Sequence, residues 1–390
     1  MRNTNLMKSK FLSFIKNWHL KYIITIWIFW MTILILVGAI MFGRIPVSGP
    51  IHSYYGIGEE LSVWTNWDGN NYIVIAREGY NIESLYAFFP LLPILIKILV
   101  NILDISYPLA GVIVSRLALL GALFFLVKLV EKEWGKNIAY KTAWLMLIFP
   151  TAYFMMAVYT ESLFLFTTLA TWYFAREKNW WLAGFFGFFA PLTRLLGILM
   201  APVLFWEYLS SKDWSFKKIR FGLFASITPV LGLISYAYFN YTRTGDFLHF
   251  LNVQKYWAEV HSRGGYHNPF GIIWNELVET IAKIPNEGIF IIGGADLWMT
   301  LFAVGILIWI TIKRTLRPPY LIWSWGLLMI PIISGSLVSM PRYVLGFFPM
   351  YIVLAIWCAK SKLFEQFYTF TSILLFAAFY IMFLFQVWLA

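Results

Sequence analysis

The chain has 390 residues, of which 60% are hydrophobic and only 13% charged, and its net charge is +11. Soluble domains carry about 25% charged residues, so a soluble globular protein is excluded. A mean hydropathy of +0.71, carried by continuous rather than alternating apolar runs, predicts an all-α polytopic membrane protein and not a barrel.

In such a protein the positive balance is met by basic cytoplasmic loops, and no nucleic-acid partner follows from it. The single cysteine, Cys358, excludes an internal disulfide and a Cys-based metal site. Aromatic residues make up 20% of the chain, more than interfacial belts need. Dense ring packing accounts for that excess, and so does the lining of a lipid or sugar cavity.

The first apolar run, 22–42, is too long for a signal-peptide core and lacks a clear cleavage site, so it should stay as a span. Arg2, Lys8, Lys10, Lys16 and Lys21 precede it without an acid, which places the N-terminus in the cytoplasm. Next comes WTNWDGNNYIVIAREGYNIESLYAFFPLLP, residues 64–93. It sets the pair Asp68-Gly69, then Arg77, Glu78 and Glu83, among tryptophan, tyrosine and phenylalanine. Acids beside aromatic rings between spans suit binding and chemistry on a sugar, with Asp68 as the catalytic carboxylate. An ordinary Asp-Gly turn explains the same pair. The residues after it can form a short helix with Tyr72, Ile75 and Ala76 on one face, lying on the membrane surface.

The runs 87–103 and 107–130 both look like spans. If both crossed, Lys128, Lys132, Lys136 and Lys141 would lie outside. The positive-inside rule therefore makes 88–103 a re-entrant or interfacial helix, and Pro90 and Pro93 near its start agree. Further spans are expected near 142–158, 161–176, 182–193, 195–209, 221–241, 289–312, 320–338, 345–359 and 367–389, about eleven in all. They leave two long outer loops, 44–106 and 242–288, within one membrane-embedded domain.

Four ionisable residues beyond the first loop invite chemistry. Glu161, in TAYFMMAVYTESLF, is costly in a bilayer and reads as functional or paired. It also reads as a helix-start acid behind an N-cap Thr160. Arg194 in PLTRLLG and Arg342 in SMPRYVLGFFP fall at outer ends, where arginine suits a phosphate or snorkels to the interface. Arg116 lies deeper in its span, and an ion pair with Glu161 would satisfy it. No GxGxxG, P-loop, HExxH or Cys/His zinc spacing occurs, and His249, His261 and His267 are not spaced as metal ligands.

WDGNNYIVIAREGY followed by AFFPLLP resembles the signature of PIG-V-type GPI mannosyltransferases and their prokaryotic relatives. The resemblance continues in order through FPTAYFMMAVYTESLF, PLTRLLG, FLHFLNVQKYW and MPRYVLGFFP. It implies a GT-C glycosyltransferase fold with outer-face juxtamembrane helices and a catalytic acid in the first outer loop, which falls on Asp68. It implies a polyprenyl-phosphate monosaccharide as donor, with Arg342 and Arg194 on the donor phosphate. Trp67, Tyr72, Arg77, Glu78, Glu83, Arg116 and Glu161 are expected to bind substrate or support the site, and the matched segments add Gln254, Lys255 and Tyr343. Trp67 and Tyr72 are candidates to stack on sugar faces. No metal or other cofactor is expected, since arginine supplies the charge that Mg²⁺ would. The acceptor, whether glycan, glycolipid or protein, stays open, and the active site should face the extracytoplasmic side. The alternative reading is a transporter or flippase of a lipid-linked sugar. That reading asks for inverted repeats and charges along a path through the bilayer, and neither is evident.

Overall fold

The computed structural model describes residues 18–42, 61, 63–254, 268–287, 292–335 and 337–387. Lys255, His261, His267 and the basic tail before Trp18 lie outside them. Among the described residues all regular structure is helical. Four stretches among the described residues are long and apolar enough to cross a membrane: His19–Met41, Tyr107–Leu147, Gly294–Lys313 and Lys362–Leu384. Hydrocarbon offers no water to the backbone, so each N–H and C=O must find its partner inside the helix.

Helix α1 (Trp18–Phe42) has 25 residues, or about 37 Å at 1.5 Å each, against about 30 Å of hydrocarbon. It buries Ile23, Ile26, Trp30 and Leu34, spaced as one helix face requires. Its other side exposes Ile28, Phe29, Ile33, Leu36 and Ile40, a surface suited to lipid. Helix α2 (Asp68–Glu78) does not lie open on a membrane surface as predicted. Tyr72, Ile73, Val74, Ile75 and Ala76 are all buried, so protein covers it on nearly every side. Helix α3 (Leu91–Leu103) has 13 residues and stops at Asp104 in left-handed backbone (φ 51, ψ 46). At about 20 Å it falls short of the hydrocarbon thickness.

Helix α4 (Tyr107–Leu147) corrects the predicted loop at 128–141. The helix continues on both sides of a kink at Gly135 (φ 82, ψ 168), a backbone that glycine adopts without steric cost. The predicted span 142–158 is corrected as well. The helix ends at Leu147, and 148–160 consists of turns around a short 3₁₀ helix, Ala152–Met155. Every residue of 148–160 is buried, and irregular backbone at membrane depth is tolerated where protein surrounds it.

Helix α5 (Glu161–Arg176) packs along α4. Helices α6 (Trp180–Phe189) and α7 (Met200–Ser210) are shorter than the predicted spans 182–193 and 195–209. Between them the 3₁₀ turns Ala190–Leu192 and Leu195–Leu199 flank Thr193 and Arg194. Then follow α8 (Thr228–Thr244), α9 (Pro269–Glu287), α10 (Ile292–Lys313), α11 (Pro318–Ile333), α12 (Met340–Leu345), α13 (Phe348–Lys360) and α14 (Lys362–Leu384). One continuous core joins α1 to α14. Much of the aromatic excess packs ring on ring inside it, as Trp172 does on Tyr320, with centroids 4.6 Å apart and planes within 5°. Such pairs contribute about 0.5–1.5 kcal/mol each beyond burial. They matter more where lipid removes the hydrophobic drive between helices.

At the Arg176 end of α5 sits an ionic cluster. Arg317 grips Glu207 with both terminal nitrogens, at 2.8 and 3.2 Å. Arg176 Nε lies 2.8 Å from Glu133 Oε1, and the Tyr320 hydroxyl donates to Glu133 at 3.0 Å. Glu161 stands at the other end of α5, about 22 Å away along the axis.

Candidate active site

Asp68 and Glu161 each open a helix, α2 and α5, where the dipole favours a carboxylate. Between them lies Arg342 of α12, with Nη1 2.5 Å from Asp68 Oδ2 and Nε 2.6 Å from Glu161 Oε1. Arg194 Nη2 reaches the same Glu161 oxygen at 3.0 Å. The charges therefore alternate along Asp68, Arg342, Glu161 and Arg194. The side chains of Glu161 and Arg342 are 1% and 5% exposed, those of Arg194 and Asp68 14% and 25%. The centre of the cluster is shut and its two ends are open, so a reactant meets Asp68 and Arg194 first.

Local backbone sets these positions. Trp67, directly before Asp68, sits at φ 50, ψ −113, and Ser339, three residues before Arg342, at φ 67, ψ 9. Such backbone costs about 1–3 kcal/mol per non-glycine residue and persists only where its surroundings impose it. Gly69 packs against the buried 148–160 segment: a Cβ there would come 3.3 Å from the Val158 carbonyl oxygen. The Asp68-Gly69 pair is therefore a helix start and not an ordinary turn. The same segment touches both halves of the site. The Tyr159 hydroxyl donates to the Asn66 carbonyl at 2.9 Å, and the Tyr159 ring lies 4.6 Å from the Arg342 guanidinium carbon. The Thr151 hydroxyl donates to the Pro341 carbonyl at 3.1 Å.

Some sequence expectations are corrected here. Arg116 does not pair with Glu161; its guanidinium lies over the Trp64 ring, 5.3 Å from the centroid, and both near partners of Glu161 are other arginines. Thr160 precedes α5 without a side-chain cap hydrogen bond. Tyr72 offers no open ring face to a sugar, because it is buried with its edge against Phe88, 5.3 Å between centroids. That burial also pushes its phenol well above the usual range, so it stays protonated. Trp67 is half-buried and packs on Phe383 at 5.5 Å.

Arg77 and Glu78 pair with each other at 3.2 Å, at the far end of α2, about 15 Å from Asp68. Glu83 is exposed in the 3₁₀ helix Glu83–Ala87. Gln254 donates to the Ala87 carbonyl at 3.4 Å, while Lys255 lies outside the described residues. Tyr343 is in the site, its ring 5.1 Å from the Arg194 guanidinium carbon.

Sequence reasoning missed Asn66 and Asn70. Among the described residues, Asn66 Nδ2, Asn70 Oδ1 and Glu161 Oε2 are buried without a hydrogen-bond partner. A buried polar atom left so costs about 1–3 kcal/mol, and a hydroxyl-rich ligand would satisfy it. Their signal was available, since both asparagines flank Asp68 in WTNWDGNN.

An all-helical multi-pass membrane chain with alternating buried charges at one end suits handling of a charged, hydroxyl-bearing substrate. Residues 48–243 match the family model described as Mannosyltransferase (PIG-V). The chain belongs to this family of mannosyltransferases. Asp68, Glu161 and Arg194 fall inside the matched range and Arg342 outside it. No curated protein matches the chain in sequence. Among solved structures it is similar to the oligosaccharyltransferase AglB of Archaeoglobus fulgidus. The apo form shows 12% identity and a TM-score of 0.40, covering 96% of this chain and 56% of that one. AglB in complex with an inhibitory peptide and a dolichol-phosphate shows 13% identity and a TM-score of 0.42, covering 97% and 56%. The chain spans about half the length of those proteins.

Proposed function

We propose that the chain transfers a mannosyl group, with inversion, from a polyprenyl-phosphate donor to an acceptor hydroxyl on the extracytoplasmic face. The observation that carries this reading is the alternating cluster of Asp68, Arg342, Glu161 and Arg194. In the resting site its two guanidinium charges balance two carboxylates. A donor phosphate entering beside Arg194 and Arg342 draws Arg342 from Asp68 and frees that carboxylate to act as base. Asp68 then takes the acceptor proton as the acceptor oxygen attacks the anomeric carbon. The bond from that carbon to the phosphate oxygen breaks, and polyprenyl phosphate leaves with the electron pair. Arg342 and Arg194 stabilise the charge gained by the leaving phosphate, so no metal is required. Asn66, Asn70 and Glu161 Oε2 supply partners for sugar hydroxyls.

Charge supports the choice of face. Arg176, Arg317 and Lys132 lie at the opposite end of α5 from Glu161, and the positive-inside rule favours the cytoplasm for that end. The direct test incubates purified protein with a panel of polyprenyl-phosphate sugars and follows release of polyprenyl phosphate. Cleavage of the mannosyl donor is the expected result. Intact donor that is only moved across a liposome membrane contradicts the proposal and matches a flippase.

A further inference from the structure

A cleft of about 620 Å³ opens at the far end of α2 from Asp68, between the turn at 79–81, the start of α3 and one face of α8. Its lining on α2 begins at Ile75, about 10 Å along the helix from Asp68, and none of Asp68, Glu161, Arg194 and Arg342 lines it, so the cleft is separate from the charge cluster. Pro93, Ile94 and Leu192 give it apolar walls, and Lys97 and Arg243 line it as well. The Arg243 guanidinium carbon rests 5.7 Å from the Phe239 ring centroid. Among the described residues neither cation has a carboxylate within 4.0 Å. The one acid lining the cleft, Glu78, is already held by Arg77 at 3.2 Å and by the Asn81 amide at 2.9 Å. Two cations without anions beside an apolar wall ask for an anion that brings its own hydrocarbon.

Helix α3 supplies the rest. Ile94, Ile98 and Ile102 are 49%, 48% and 71% exposed and recur every four positions along one helix face, with Lys97, three positions from Ile94, at its edge. A helix too short to span, with a basic residue on an exposed apolar face, is suited to the boundary between headgroups and acyl chains. We propose that this cleft binds the headgroup phosphate of an anionic phospholipid, held by Lys97 and Arg243, with an acyl chain along Ile94, Ile98 and Ile102. The site is independent of the sugar donor.

The test reads lipid binding without turnover, so inactivity toward polyprenyl-phosphate mannose does not touch it. Purified protein is exchanged into mixed micelles of phosphatidylglycerol and phosphatidylcholine, and retained lipid is counted by native mass spectrometry. Wild type should retain phosphatidylglycerol preferentially. Lys97→Ala/Arg243→Ala should weaken that retention about 30-fold, since each basic side chain near an anionic lipid is worth close to a factor of five. Both residues are exposed, so the variant should fold. A second measurement needs no variant: a phosphatidylglycerol probe with a photoreactive headgroup should crosslink wild type within 79–97 or 235–243. Equal retention of the two lipids by wild type, unchanged retention by the double variant, or crosslinks confined to other segments would overturn the proposal. So would displacement of phosphatidylglycerol by millimolar inorganic phosphate, which would mean that a free anion is the ligand.

Discussion

Arg342 Nη1 lies 2.5 Å from Asp68 Oδ2, a contact that closes 274 positions of sequence. That guanidinium occupies the carboxylate oxygen that would otherwise face an acceptor hydroxyl. In the proposed reaction Asp68 is released to act as base by something that competes for Arg342. A phosphate does so with more oxygens and equal geometry. On that proposal, donor binding and activation of the base are one event.

Glu161 ties the cluster together, and its loss should be felt in stability. Glu161→Ala leaves the buried Arg342 with one carboxylate and Arg194 with none inside the cluster. Breaking a buried pair costs about 3–5 kcal/mol, whereas exposed Glu83→Ala should stay within about 0.5 kcal/mol of wild type. Thermal unfolding in detergent should show a clear fall for the first and none for the second. Equal midpoints would mean that the cluster does not hold α2, α5 and α12 together.

The cluster at the other end of α5 predicts a different pattern. Glu207 of α7 is 4% exposed and meets both Arg317 and Arg176, and Arg176 lies about 22 Å along α5 from Glu161. Glu207→Ala should lower the unfolding midpoint while single-turnover transfer, measured well below that midpoint, stays near wild type. A large drop in the transfer rate at unchanged stability would show that the two ends are coupled.

Much of this was open to a sequence reading, and the failures have physical causes. Continuous apolar runs specify membrane helices, and α5 falls where the predicted span 161–176 lies. The run 142–158 misled because burial in protein and burial in lipid select the same residues, so FPTAYFMMAVYT reads as a span although its backbone turns. Glu161 and Arg116 suggest a pair from sequence because both lie in apolar runs. The observed partner of Glu161, Arg342, is 181 positions away, and no local pattern encodes that pairing. Asn66 and Asn70 carry no signal of their own in sequence beyond flanking Asp68, because a polar residue in a loop needs no explanation until its side chain is seen to be buried.

Topology is tested by labelling. In a Cys358→Ser background, single cysteines at Ser84 and at Ser106 flank α3, and both should react with an impermeant thiol reagent from outside. Ser106 is exposed just before α4. Labelling of Ser106→Cys only after permeabilisation would place its side of the membrane in the cytoplasm and invert the account from there on.

Metal independence follows if arginines stabilise the leaving phosphate. Exhaustive chelation should leave transfer unchanged, and added Mg²⁺ or Mn²⁺ should alter it only slightly. Loss on chelation with rescue by Mn²⁺ would mean that a bound ion takes part alongside Asp68.

The most direct measurement compares Asp68→Asn with Arg342→Ala, reading donor affinity by direct binding and sugar transfer in a single turnover. Asp68→Asn keeps the side chain's size and removes the base, so transfer should fall about 10²–10⁴-fold. Donor affinity should hold or rise, because Arg342 no longer has to leave a charged partner. Arg342→Ala should weaken donor binding and transfer together, and Arg342→Lys should restore only part, since a point charge cannot replace a planar fork. Near wild-type transfer by Asp68→Asn, or loss of donor binding by Asp68→Asn with normal binding by Arg342→Ala, would contradict the assignment of base and phosphate clamp.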